Sequence, residues 1–97
     1  MKKVLFETHH LYYWPNFLPV VEELLKRENY VINVSMPKRS SSLQENILDN
    51  VCSVTGISFI TANTEEERLN KIIKEDYDII IVGNVGQLNQ IASSDAL

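Results

Sequence analysis

A single cysteine, Cys52, excludes an internal disulfide and leaves no cysteine pair for a zinc ribbon or a redox motif. Only two histidines occur, adjacent at His9 and His10, and adjacency is not the spacing of a zinc site. Glycine and proline number three each, too few for a collagen-like or low-complexity chain. No apolar run approaches the roughly 20 residues that span a bilayer. The opening MKKVLFETHH is too short in its apolar part for a signal peptide. Basic residues are outnumbered, nine against 13 acidic, and the net charge of -4 argues against nucleic acid as a partner. No G-x-G-x-x-G follows the first apolar segment, so a dinucleotide site of the usual type is not expected.

What is present is a β/α alternation over 97 residues, the length of one domain. Lys2 to Phe6 reads as a strand buried on both faces, Tyr30 to Ser35 as a β-branched second strand, Ile57 to Ile60 as a short third and Asp78 to Val82 as the most apolar fourth. Between them lie three helical patterns. Phe17, Val20, Val21, Leu24 and Leu25 form the stripe of the first, which opens near Pro15 with Asn16 as an alternative cap. Leu43, Ile47, Val51 and Val54 share a face of the second, with Leu48 and Cys52 beside it and Thr55-Gly56 ending it. Thr64 and Glu67 have capping-box spacing at the third, whose stripe is Leu69, Ile72 and Ile73. Gln87 to Ser93 reads as one more short helix. Leu5, Val21, Leu24, Ile32, Ile47, Ile72, Ile80 and Ile81 are the expected core, and Cys52 is expected to be buried and inert.

Such alternation implies an α/β, three-layer Rossmann-like parallel sheet with helices on both faces. The expected order is 3-2-1-4, with the flavodoxin-like 2-1-3-4 as the competitor. The apolar fourth strand then lies at an edge, an invitation to self-association. Because such a strand normally has a neighbour, the chain is expected to be the N-terminal part of a larger protein. A small complete four-stranded domain is the alternative.

Ligands of open α/β sheets bind beyond the carboxyl ends of the strands, where the order reverses. In order 3-2-1-4 that point lies between the first and fourth strands. The two segments there are Glu7 to Trp14 and Gly83-Asn84-Val85-Gly86. The first supplies Glu7, Thr8, His9, His10, Tyr12, Tyr13 and Trp14. A histidine is the side chain best suited to take a proton from a hydroxyl near neutral pH, and the aromatics can stack on a sugar or line an apolar pocket. The plain alternative is a loop whose aromatics cover the sheet edge and whose histidines are solvated or hydrogen-bonded. The glycine turn can present N–H groups to an anion or simply be a tight turn. Lys38 and Arg39 can meet a phosphate or an anionic membrane, or be solvated.

KKVLFETHHLYYWPNFLPVVEELLKR followed by YVINVS resembles the opening of two-Rossmann-domain (GT-B) glycosyltransferases. Within them it is most similar to the CDP-glycerol glycerophosphotransferase family of teichoic-acid-type polymer synthesis. The features that carry the resemblance are Phe6-Glu7 at the strand end, His9-His10 with aromatics, the Phe17-Leu18-Pro19 helix entry and the later DIIIVG from Asp78 to Gly83. The resemblance implies transfer of glycerol phosphate from CDP-glycerol to a hydroxyl of a membrane-linked acceptor, with this chain as the acceptor-side domain, inactive alone. It implies His9 or His10 as catalytic base, and Glu7, Thr8, Tyr12, Tyr13, Gly83 and Asn84 as substrate-binding. Partners would be a nucleotide-activated small-molecule donor and that acceptor. No metal and no cofactor are expected, and the place of action would be cytoplasmic, peripheral on the inner face of the membrane. A GT-B sugar transferase, a UDP-N-acetylglucosamine 2-epimerase-like domain and a non-enzymatic α/β binding module are the alternatives.

Overall fold

A computed structural model describes residues 1–8, 14–27, 29–38 and 42–82. Within them the elements run β1 (Lys2–Glu7), α1 (Trp14–Arg27), β2 (Tyr30–Ser35), α2 (Ser42–Thr55), β3 (Ser58–Phe59), α3 (Glu65–Glu75) and β4 (Ile79–Val82). All pairings are parallel, and the four strands lie in the order β3-β2-β1-β4. This is the α/β Rossmann-like sheet expected from the alternation, in the first of the two orders. The expected helix over Gln87 to Ser93 lies outside the described residues.

Strand alternation sorts the core into two layers. Val4 and Phe6 of β1 and Ile32 and Val34 of β2 pack with Trp14, Phe17 and Val21 of α1 and with Leu48 and Cys52 of α2. The Phe6 and Phe17 rings meet at 5.5 Å and a tilt of 56°. Leu5, Glu7 and Ser35 occupy the opposite face of the sheet and are buried there under α3, which contributes Arg68 and Ile72. The helices that follow β1 and β2 therefore lie on one side and the one that follows β3 on the other, as right-handed crossovers require.

The helix ends carry their signals. Thr64 caps α3 by accepting a hydrogen bond from the Glu67 N–H at 3.1 Å. The Glu67 carboxylate reaches one residue further back than in a capping box and accepts from the Asn63 N–H at 2.9 Å, which holds it below its ordinary pKa. Gly56 closes α2 at φ +85°, with Gly56 N–H donating to the Ser53 carbonyl and Ile57 N–H to the Cys52 carbonyl, a Schellman motif. Pro19 is the sixth residue of α1 and removes only one bond near the start of that helix. At the far side, Lys3 N–H donates to Asp78 Oδ2 at 2.8 Å and Asp78 N–H to the Lys3 carbonyl at 2.9 Å, which sets β4 beside β1.

Four expected core residues are not fully buried, though Leu24 and Ile81 still pack against the core. Ile47 is 39% exposed, and Leu24, Ile80 and Ile81 are half-buried. For Ile80 and Ile81 the reason is position, since β4 is the terminal strand among the described residues. For Ile47 it is helix rotation. The Schellman turn buries Ile57 beside Cys52, so the inner line of α2 is Leu48 and Cys52, and Leu43 and Val54 turn outward. In α3 the inner line is Arg68 and Ile72, which leaves Leu69 half-buried and Ile73 39% exposed. Cys52 is fully buried, and burial pushes its thiol up to about 12. β3 is two residues long, shorter than Ile57 to Ile60.

The rotation of α2 makes opposite predictions for neighbouring leucine sites. Leu48→Ala should cost about 2–5 kcal/mol in urea unfolding, while Leu43→Ala should stay within about 0.5 kcal/mol. Gly56→Ala should cost about 1–2 kcal/mol through its left-handed backbone, since a Cβ there meets nothing within 4 Å. A larger loss at Leu43 than at Leu48 would show the helix turned the other way.

Candidate functional site

The order reverses between β1 and β4, which pair from Val4–Ile79 to Glu7–Val82. β1 ends at this point in two buried polar residues, Glu7 at 1% exposure and Thr8 at 0%. Thr8 N–H donates to the Ser35 carbonyl at 2.9 Å, so the chain leaves the sheet still tied to β2. His9, His10, Tyr12, Tyr13, Gly83 and Asn84 lie outside the described residues, as does Arg39. The structure thus brings together Glu7 and Thr8 of the expected site, and fixes the strand end from which the histidine loop departs.

Glu7 does not stand alone. Arg68 Nη1 donates to its Oε1 at 2.8 Å and its Oε2 at 2.7 Å, and to Ser35 Oγ at 3.1 Å. The other edge of the same guanidinium is taken by Glu65. Nε donates to Glu65 Oε1 at 2.8 Å and Nη2 to Oε2. Glu65 Oε1 also accepts from the Lys38 backbone N–H at 2.8 Å. One arginine side chain, itself fully buried, thereby links the ends of β1 and β2, the first turn of α3 and the loop after β2.

The electrostatics of this cluster follow from burial. Desolvation pushes the Glu7 carboxyl up from its ordinary value, and the Arg68 charge and the hydrogen bonds of Arg68 and Ser35 only partly offset that rise. Burial acts against the Arg68 charge as well, but the hydrogen bonds it donates to Glu65 and the charge of Glu7 outweigh it and hold the guanidinium above its ordinary value. Two carboxylates on one cation leave the cluster acidic when all three are ionised.

Arg68 escaped the sequence reading, although a signal was available. It stands three residues after Glu65 and four before Ile72, which puts a cation on the inner line of α3 facing an acidic strand end. Trp14, the first residue of α1, is 5% exposed. Its Nε1 has no hydrogen-bond partner among the described residues. A buried indole N–H left unpaired costs about 1–3 kcal/mol. Lys38 is engaged rather than free, with Nζ 3.1 Å from Glu45 Oε1.

Among the described residues no group of three His, Cys, Asp or Glu side chains is placed to hold a metal ion. No described helix is long and apolar enough to cross a membrane. A cleft of about 580 Å³ opens over Val31, Asn33 and Ser58 on the α3 side, bounded by Lys71, Lys74 and Tyr77. It lies over β2 and β3 rather than at the β1/β4 reversal. Comparison with protein-family models, with curated proteins and with solved structures finds no match to this chain.

The cluster yields a test in two parts. Glu7→Ala strips Arg68 Nη1 of its carboxylate and should cost about 3–5 kcal/mol. Glu7→Gln keeps the shape and isolates the titration. Native Glu7 holds its proton to higher pH than the unfolded chain does. Its contribution to stability is therefore full below the unfolded carboxylate range and lost as pH rises through the raised native value. The stability of the wild type minus that of Glu7→Gln should fall with pH across that window. A difference that grew with pH would mean that Arg68 overrides burial.

Proposed function

We propose that this chain is the acceptor-side, N-terminal Rossmann-like domain of a transferase that moves glycerol phosphate from CDP-glycerol to a hydroxyl of a membrane-linked acceptor. Its place would be the cytoplasmic face of the membrane, in cell-envelope polymer synthesis. The observation that carries the reading is the buried Glu7-Thr8 end of β1 at the point where strand order reverses, leading directly into His9 and His10. That point is where open α/β sheets take their ligands. The residue pattern of the opening segment supplies the substrate class.

In this reading His9 or His10 accepts the proton of the acceptor hydroxyl as its oxygen attacks the glycerol-bearing phosphorus of CDP-glycerol. The bond from that phosphorus to the bridging oxygen breaks, and CMP leaves with the electron pair. Tyr12, Tyr13, Gly83 and Asn84 are the further substrate-binding residues of this reading. Glu7 and Thr8, buried at the strand end, set where the His9-His10 segment leaves the sheet, and Arg68 fixes the Glu7 carboxylate. The residues that hold CDP belong to a second domain, so the 97 residues alone should release no CMP.

The test is CMP release from CDP-glycerol by the native protein that contains this chain, with a hydroxyl acceptor present. His9→Ala or His10→Ala should lower turnover by about 10²–10⁴-fold while leaving thermal unfolding unchanged. Turnover of a UDP-sugar in place of CDP-glycerol would move the reading to a sugar transferase or epimerase. Binding without turnover of any activated donor would leave a binding module, and full activity in both histidine variants would remove their catalytic role.

A further inference from the structure

The α3-side face of β2 and β3 is polar in its middle. Strand alternation puts Val31 and Asn33 of β2 on that face, and Ser58 of β3 stands beside Asn33 in register. Inner strands of a parallel sheet read as near-continuous apolar runs where helices cover both faces. Here an amide and a hydroxyl take that place. An apolar helix face packed over them would strip their water and offer no bonds in return. This face forms the floor of the cleft of about 580 Å³ beside α3, a volume within the range of about 300–1,000 Å³ that small-molecule sites occupy.

The polar groups of the cleft are held in place. Tyr77 Oη donates to Asn33 Oδ1 at 2.7 Å. Asn33 Nδ2 donates to the Ile32 carbonyl at 3.1 Å, so the oriented amide keeps one N–H for a ligand. Burial, and after it the Glu75 charge, push the Tyr77 phenol up, so it stays protonated and its oxygen can still accept. The α3 wall carries Lys71 and Lys74, three residues apart and therefore neighbours on the helix surface. Lys71 Nζ donates to the Thr61 carbonyl and lies 3.6 Å from Glu67 Oε1. Lys74 has no ion pair among the described residues. Glu75 is the one carboxylate among the described residues lining the cleft, and Lys3 Nζ pairs with it at 3.3 Å. In a chain of net charge -4 the cleft is a local excess of positive charge.

We infer that this cleft binds a phosphorylated monosaccharide. The phosphate meets Lys74, with Lys71 beside it. The sugar hydroxyls meet Asn33 Nδ2, Tyr77 Oη and Ser58 Oγ, and the C–H face of the ring lies against Val31 and Ile60. A nucleotide fits less well. Of the two aromatic residues lining the cleft, Phe59 pairs with Val34 and packs with the core on the other face, so no two rings clamp a base. The site lies over β2 and β3, away from the β1/β4 reversal, and stands apart from the transferase reading.

Isothermal titration calorimetry of the whole chain with ribose 5-phosphate and with glucose 6-phosphate tests it, beside ribose, inorganic phosphate and AMP. At least one of the two sugar phosphates should bind with a Kd of about 0.1–1 mM at low ionic strength, about tenfold or more tighter than ribose or phosphate alone. AMP, which adds a base to ribose 5-phosphate, should bind no tighter than the better sugar phosphate. Lys74→Glu should weaken binding about tenfold or more, and Tyr77→Phe about threefold, by loss of the hydroxyl that orients Asn33. Lys26→Glu, an equally exposed lysine on α1, should leave the affinity unaltered. The circular dichroism spectrum should be the same in all three variants. In NMR titrations the backbone amides of Ser58, Ile60 and Tyr77 should shift, and those of Val21 and Leu48 should not. No binding of either sugar phosphate up to about 10 mM overturns the inference. So does ribose or inorganic phosphate binding as tightly as the better sugar phosphate, AMP binding tighter, or an affinity indifferent to Lys74→Glu.

Discussion

A buried guanidinium holds the carboxyl edge of this sheet together. Arg68 is at 0% exposure, and taking its charge out of water carries a penalty of several kcal/mol that only full pairing offsets. Both edges of its fork are occupied, Nη1 by Glu7 and Ser35, Nε and Nη2 by Glu65. The partners belong to three different elements, so pairing Arg68 also fixes β1, β2 and α3 relative to one another. The Glu65 bond to the Lys38 N–H carries the same constraint into the loop after β2. An apolar side chain of similar volume could fill this space, but it would bond neither strand end. Arg68 is therefore best understood as giving position rather than net stability.

In the proposed reading that constraint bears on function because of where it lies. The loop with both histidines leaves β1 immediately after Glu7 and Thr8. A base or binding group on a loop is useful only if the loop starts from a fixed point, and small displacements of reacting groups are costly. The Glu7–Arg68 pair below and the Thr8–Ser35 backbone bond beside it provide that point. α1 begins at Trp14, and Trp14 and Phe17 enter the core.

The sequence was legible wherever a signal was local. Strand β2 was readable at its observed bounds, Tyr30–Ser35, because β-branched and aromatic residues dominate it. The ends of α2 and α3 followed from Gly56 and Thr64, whose backbone roles do not depend on distant residues. Helix rotation was less legible. α2 has two apolar lines, and periodicity cannot tell which one meets the sheet. The Ile57–Cys52 turn decides it, and that is a tertiary outcome. Arg68 was hidden for a related reason: a charge on an inner helix line looks like an error until its partner 61 residues away is known. Of the expected site, Glu7 and Thr8 lie where the topology implied, but the carboxylate of Glu7 faces α3 and is held there.

The central claim is that Glu7 and Arg68 act as one unit, and a double-mutant cycle measures that directly. Glu7→Leu, Arg68→Met and the combination would be compared with the wild type by urea unfolding at neutral pH. The account predicts that each single change is strongly destabilising and that the pair is far less so than their sum, with a coupling energy above about 1.5 kcal/mol. Two losses that add within about 0.5 kcal/mol would contradict it and leave Arg68 without its organising role.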